Sequence, residues 1–147
     1  MEKNNSALFY TCSLIEYIGR KTRNKRSDIV NYLGKENVGR IFKYADVFHC
    51  EPIEKVADDF IQKAAIKNGE FDNISSSKYI VPDYWDIGEV FERVIEDCFE
   101  EHEVINGIME VYQSWIADVI LNFNLDFYYQ SREYIALCYK EGKIIEE

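Results

Sequence analysis

No apolar run in this sequence approaches the roughly 20 residues a helix needs to cross a bilayer, because a charge or an amide interrupts each one. A basic start followed by an apolar stretch and a small-residue cleavage site is also missing, so export is not expected. Cysteine is sparse and scattered: Cys12, Cys50, Cys98 and Cys138 include no pair at the close spacing of a zinc site. Their even number would allow disulfides, but without export the expectation is reduced thiols and a cytoplasmic location. Neither G-x-x-x-x-G-K-[ST] nor G-x-G-x-x-G occurs, which removes the usual phosphate cradles. The inward-facing Glu-x-x-His pairs of a di-metal carboxylate bundle are absent as well. Neither cofactor nor metal is expected, and no internal repeat is found.

What remains is ample material for a core. Hydrophobic residues make up 47% of the 147 and aromatics 15%, enough to fill one domain and too much for a disordered chain. The formal charge of -10 disfavours a surface that grips nucleic acid throughout, since phosphate binding draws on Lys and Arg. The charge is uneven. Residues 1–50 hold nine Lys/Arg against five Asp/Glu, a balance of +4, and the remaining residues account for -14.

Periodicity predicts an all-α fold, a bundle of six to seven helices with an N-terminal trihelical cluster packed on C-terminal helices. Leu8, Phe9, Cys12, Ile15 and Ile18 recur at helical spacing, with Gly19 as the expected end. After a polar basic connector over 20–26, Ser27 suits the N-cap of a short helix that Gly34 closes. A third helix is expected over 36–48, and a fourth from Pro52, whose missing N–H costs nothing in a first turn. Residues 67–82, rich in Asn, Gly and Ser, read as an ordered loop between sub-blocks 1–66 and 83–141 of a single domain, 1–147. A strand over 78–81 would lack a partner. Beyond Asp83 the positions Ile87, Val90, Phe91, Val94, Ile95, Cys98 and Phe99 follow the helical template without a miss, and Tyr84 and Trp85 suit a staple at the helix entry. A long helix over 104–123 carries a broad apolar stripe and is expected to be the core helix; a short one over 131–141 ends the fold.

Few residues point to chemistry. The connector residues Arg20, Lys21, Arg23, Lys25 and Arg26 precede two short helices, an arrangement that could read DNA as a helix-turn-helix. Asn37, Arg40 and Lys43 are too sparse for a recognition helix, so a docking patch for an acidic partner or a solvated loop is the plainer reading. Glu89, Glu92, Glu96 and Glu100 align on one helical flank that is expected to face solvent. Cys50 could pair with His49 or His102 as nucleophile and base, yet adjacent side chains diverge, and a buried thiol beside a helix-terminal histidine is the simpler account. Phe123, Phe127, Tyr128, Tyr129, Tyr134 and Tyr139 are expected to be chiefly core, with interface anchors among them.

Two stretches, LFYTCSLIEYIGRKTRNKRSDIVNYLGKENVGRIFKYADVFHC (8–50) and VPDYWDIGEVFERVI (81–95), resemble a family of small helical Firmicutes proteins. The first is similar to a shorter companion family in which a third helix ends in D-V-x-H, here Asp46, Val47, Phe48 and His49. Members of these families tend to be encoded beside a predicted ADP-ribosyltransferase-like protein, which suggests a toxin and antitoxin or a defence module, and no catalytic residue carries over. The resemblance and the charge asymmetry together imply a non-enzymatic, cytoplasmic interaction protein that binds another protein, a toxin-like enzyme. Its alternative is a nucleic-acid-binding regulator using residues 20–43. An apolar patch left over after core filling would also allow a homodimer.

Overall fold

The computed structural model describes residues 6–146, and among these it is all-helical, with no strand. Eight helices follow in chain order: α1 Ser6–Thr22, α2 Arg26–Lys43, α3 Ala45–Phe48, α4 Ile53–Lys63, α5 Tyr84–Cys98, α6 Val104–Tyr112, α7 Trp115–Ile120 and α8 Arg132–Glu141. Single 3₁₀ turns at Glu101–Glu103 and Phe127–Tyr129 complete the list.

The central element is α1 rather than the expected helix over 104–123. Eleven of its seventeen residues are buried, including the polar Thr11, Ser13 and Glu16. It lies along α5, with α2, α3 and α4 around its other sides. Helix α8 also packs on α5, and one contiguous apolar cluster runs from Leu8 to Cys138 through both halves of the chain.

Several boundaries differ from those the sequence predicts. Gly19 does not end α1, which continues to Thr22. The chain turns at Arg23, whose left-handed backbone (φ 55°) brings the Asn24 N–H back to the Gly19 carbonyl at 3.1 Å. Gly34 (φ 72°, ψ 164°) breaks α2 into the two pieces its position suggests, although the second stops at Lys43 and a bend at Tyr44 separates it from the single turn α3. The helix expected over 104–123 is two helices. Ser114 adopts extended backbone (φ -92°, ψ 168°) and its hydroxyl donates to the Val111 carbonyl at 2.7 Å, the local competition that makes serine a helix breaker. Inward residues continue on both sides of this break, so their spacing cannot reveal it.

Ser27 is not the N-cap expected of it: α2 starts one residue earlier, at Arg26, with Lys25 in the cap position and no side-chain cap hydrogen bond. Asp83 caps α5 by accepting the Asp86 N–H, Ser131 caps α8 through Tyr134, and Gly142 closes α8 in left-handed backbone. Residues 67–82 have no helix or strand of their own, and 78–81 are not a strand. Tyr84 and Trp85 are the first residues of α5 and dock its start on α1, through Tyr17 (5.1 Å between ring centres) and Phe9 (5.5 Å).

Candidate functional site

The lone carboxylate on the apolar face of α1 organises one end of the molecule. Glu16 is fully buried, and Arg26 at the start of α2 meets it with a two-pronged ion pair, Nε to Oε1 at 2.8 Å and Nη2 to Oε2 at 2.9 Å. Arg20, one turn on in α1, adds Nε to Oε2 at 2.8 Å and donates through Nη2 to the Pro82 carbonyl at 2.7 Å. The Arg26 Nη1 donates to the Asn24 carbonyl at 2.8 Å. Two guanidiniums thus share one buried carboxylate, an arrangement tolerable only because backbone carbonyls take the remaining donors. Gly19 makes room: a Cβ there would sit 2.3 Å from Arg26 Cδ.

The same cluster gathers the long loop. Gly69 and Phe71 donate their N–H groups to the carbonyls of Thr22 and Arg23, at 2.8 and 2.9 Å, covering the end of α1. Asn24 reaches the Lys67 carbonyl at 2.8 Å. Asn73, buried, lies 3.4 Å from Arg26 Nη2 through its Oδ1 and donates to the Leu121 carbonyl at 2.9 Å, which ties the loop to the end of α7.

Over this floor lies a cavity of about 330 Å³ between the start of α2, the 71–76 loop and the segment 117–124. Phe71 and Phe123 contribute its ring walls, each with a guanidinium over it, Arg26 at 5.8 Å and Arg20 at 5.6 Å. Asp118, Asn122, Lys25 and Ser27 also line it. Beside the cavity, Lys78 donates its backbone N–H to Asn124 Oδ1 at 2.8 Å, joining the two loops. Tyr79 and Ile80 on one, and Leu125 and Tyr129 on the other, project into solvent; Ile80 is 93% exposed and Tyr129 84%. Ring contacts from Phe123 through Tyr128 to Tyr129 keep this surface continuous with the cavity wall.

The structure scatters the residues the sequence grouped. Of the basic connector, Arg26 is buried and Arg20 mostly so, both committed to Glu16, so they do not form the solvated patch expected of them. Lys21 pairs with Asp58 at 2.6 Å, leaving Arg23 and Lys25 exposed without an ion pair among the described residues. A DNA-reading role for this segment loses two of its five cations.

The acidic flank is likewise divided. Glu89 and Glu100 are exposed, and Glu89 pairs with Arg93 at 3.3 Å. Glu92 is not on a solvated flank: it is buried against α1 and α8, and its Oε2 has no hydrogen-bond partner among the described residues. Burial first, then the charge of Glu96 and a hydrogen bond shared with it, push the Glu92 carboxyl up to about 8 against the opposing pull of Arg132 and Arg93. Arg132 of α8 holds Glu96 at 2.9 Å and both oxygens of Asp97 at 2.8 and 2.9 Å, and these contacts raise its own pKa further.

His49 packs edge-on against Tyr10 at 5.8 Å, while the neighbouring Cys50 is exposed, not buried, with Sγ 3.4 Å from the Asp46 carbonyl. Cys12 and Cys138 are buried and Cys98 half-buried; all four cysteines are free. Burial pushes the Cys12 thiol well above its usual range. Among the described residues no group of three or more His, Cys, Asp or Glu could hold a metal ion, and no helix is long and apolar enough to cross a membrane. Of the aromatic group, Phe123 and Phe127 are core and Tyr128, Tyr134 and Tyr139 half-buried. The exposed pair Tyr79 and Ile80 and the buried Glu16 escaped the sequence reading, although a carboxylate one turn beyond Cys12 on an apolar stripe was a signal for the latter.

No family model, curated protein or solved structure matches the chain.

Proposed function

We propose that the chain is a protein-interaction component whose docking surface is the end built by the loops 77–80 and 124–129. One observation carries this reading: Tyr79, Ile80, Leu125 and Tyr129 are large apolar side chains held out in solvent on two loops that hydrogen bonds fix to each other. A patch of this kind has no packing role within the chain and has the composition of an interface anchor. The occupant is another protein with an apolar groove and a basic rim, since the chain carries a net -10 and Asp126 lies within the patch. A toxin-like enzyme restrained by this chain, antitoxin fashion, is such a partner, and a cationic substrate site is the surface an acidic protein would mask.

The test is co-expression of the tagged chain with the products of its neighbouring genes, followed by purification at moderate salt. A stoichiometric complex, and relief of the enzyme's toxicity, are expected. Ile80→Asp together with Tyr129→Ser should abolish both while leaving the far-ultraviolet circular dichroism unchanged, because neither side chain is part of the core. Absence of a complex with the unaltered chain, or a complex indifferent to this double substitution, overturns the reading.

A further inference from the structure

We propose that α8 is a pH-responsive latch on α5, held shut while Glu92 carries a proton and loosened once Glu92 is ionised. The geometry is that of a terminal helix closed over a carboxyl it does not satisfy. Arg132, the first residue of α8, donates Nε to Asp97 Oδ2 at 2.9 Å, and Nη2 to Glu96 Oε1 at 2.9 Å and to Asp97 Oδ1 at 2.8 Å. None of these bonds goes to Glu92, one turn before Glu96, which is 9% exposed with its Oε2 unpartnered among the described residues. On the other side α1 and α5 are in close contact at Gly88, one turn before Glu92, where a Cβ would sit 2.2 Å from Ser13 Oγ. The carboxyl therefore gains water by movement of α8 rather than of α1.

Protonation decides whether this closed arrangement is comfortable. As an acid Glu92 shares a hydrogen bond with Glu96; as a carboxylate it lacks a donor and faces a second carboxylate. The charged and titratable groups facing it are Glu96 and Arg93 of α5, Arg132 of α8 and Cys12 of α1. The two guanidiniums keep their charge throughout, and burial holds the Cys12 thiol neutral. Cys98 and Tyr139, where α8 meets α5 further along, are also raised, chiefly by burial. Glu92 titrates at about 8, between neutrality and mild alkalinity.

Helix α8 can open without dismantling the rest. It is the last helix, it packs chiefly on α5, and the contacts of α1 with α2 and α5 do not depend on it. Opening hydrates Glu92 and returns it toward its ordinary 4.5, so the closed state holds a proton that the open state releases. Opening thus becomes easier as pH rises, by at most about tenfold per unit, and levels off above about 8. Tyr134 of α8 packs on Phe127 at 6.1 Å, in the 3₁₀ turn that carries Tyr129. Loosening α8 removes one support of the docking surface, a consequence that rests on the docking reading, whereas the latch itself does not.

Amide hydrogen exchange of the full chain alone, at pH 6, 7 and 8, tests the latch in the unaltered protein and in Glu92→Gln. Comparing the two at the same pH removes the intrinsic pH dependence of exchange. The amides of α8 should exchange ahead of those of α1. Their rate in the unaltered chain, divided by that in the variant, should rise at least about fivefold from pH 6 to pH 8. Exchange of α8 in step with α1, or a ratio flat with pH, overturns the proposal. Should the variant fail to fold, the protection of α8 in the unaltered chain, corrected for intrinsic rates, must itself fall by at least about fivefold over this range, and constant protection overturns the latch. No partner takes part in this measurement, so its failure would leave the docking reading standing.

Discussion

Replacing Glu92 by Gln should make the protein more stable, and increasingly so as pH rises. In the folded chain this carboxyl titrates at about 8 against an ordinary value of 4.5. Between those values the native state keeps a proton that the unfolded state has released. Unfolding therefore releases a proton, and stability falls as pH rises through this window. Each pH unit costs about 1.4 kcal/mol, so the 2.5 units between 4.5 and 7 set a ceiling of about 3 kcal/mol, and the loss levels off above about 8. Relaxation of α8 around its Arg132 contacts lowers that ceiling. Glutamine keeps the shape, can donate to Glu96 as the protonated acid does, and does not titrate. The expected gain is thus near zero at pH 4 and about 1–3 kcal/mol at pH 7, read from urea unfolding of both proteins at pH 4, 7 and 9. Comparing the two at each pH cancels the titrating groups that do not interact with Glu92. A difference independent of pH, or a variant less stable at pH 9 than the unaltered chain, would refute the reasoning that places an uncompensated carboxyl between α1, α5 and α8.

The remaining perturbations probe the other end of the molecule and the thiols. Gly19→Ala puts a methyl 2.3 Å from Arg26 Cδ and should force the buried guanidinium off Glu16, at about 3–5 kcal/mol of unfolding free energy, where an alanine in an open helix position would instead help. Thiol titration with a disulfide reagent at pH 8 should find Cys50 reactive at once, Cys98 slower, and Cys12 and Cys138 only on unfolding; immediate reaction of Cys12 would contradict its place in the core. Ile80→Asp with Tyr129→Ser should leave the thermal midpoint within about 2 °C while abolishing partner binding, because surface substitutions away from caps and buried networks are close to neutral.

Helical periodicity made the architecture legible. The apolar positions of α5 and the short last helix stand where their spacing places them, since local signals decide those features. What sequence could not show was where the helices cross. Gly19 reads as a helix end by its residue type, yet it is a glycine because a guanidinium from ten residues beyond Glu16 passes over it, which only the α1–α2 crossing reveals. Arg26 reads as one more charge in a basic connector, and its burial depends on the single carboxylate in α1 that faces it. Glu92 shares a nominal flank with Glu89 and Glu96, but the arrival of α8 on α5 converts the middle of that flank into an interface. A helical wheel drawn for one helix shows a face; which faces are covered is settled by neighbours that are remote in sequence.

The loop 67–82 shows the same dependence at the candidate site. A segment of sixteen residues without helix or strand would be an entropic burden were it not fastened along its length. Its fastenings are the carbonyls of Thr22 and Arg23, the Asn73 bridge between Arg26 and Leu121, the Pro82 carbonyl on Arg20 and the Lys78 contact with Asn124. Two of these four run through a guanidinium held by Glu16. The buried ion cluster therefore does more than satisfy three charges: it sets the loop against α7, and that juxtaposition forms both the cavity wall and the exposed aromatic patch beside it. A substitution that unseats Arg26 should disturb partner binding, although it touches neither Tyr79 nor Tyr129.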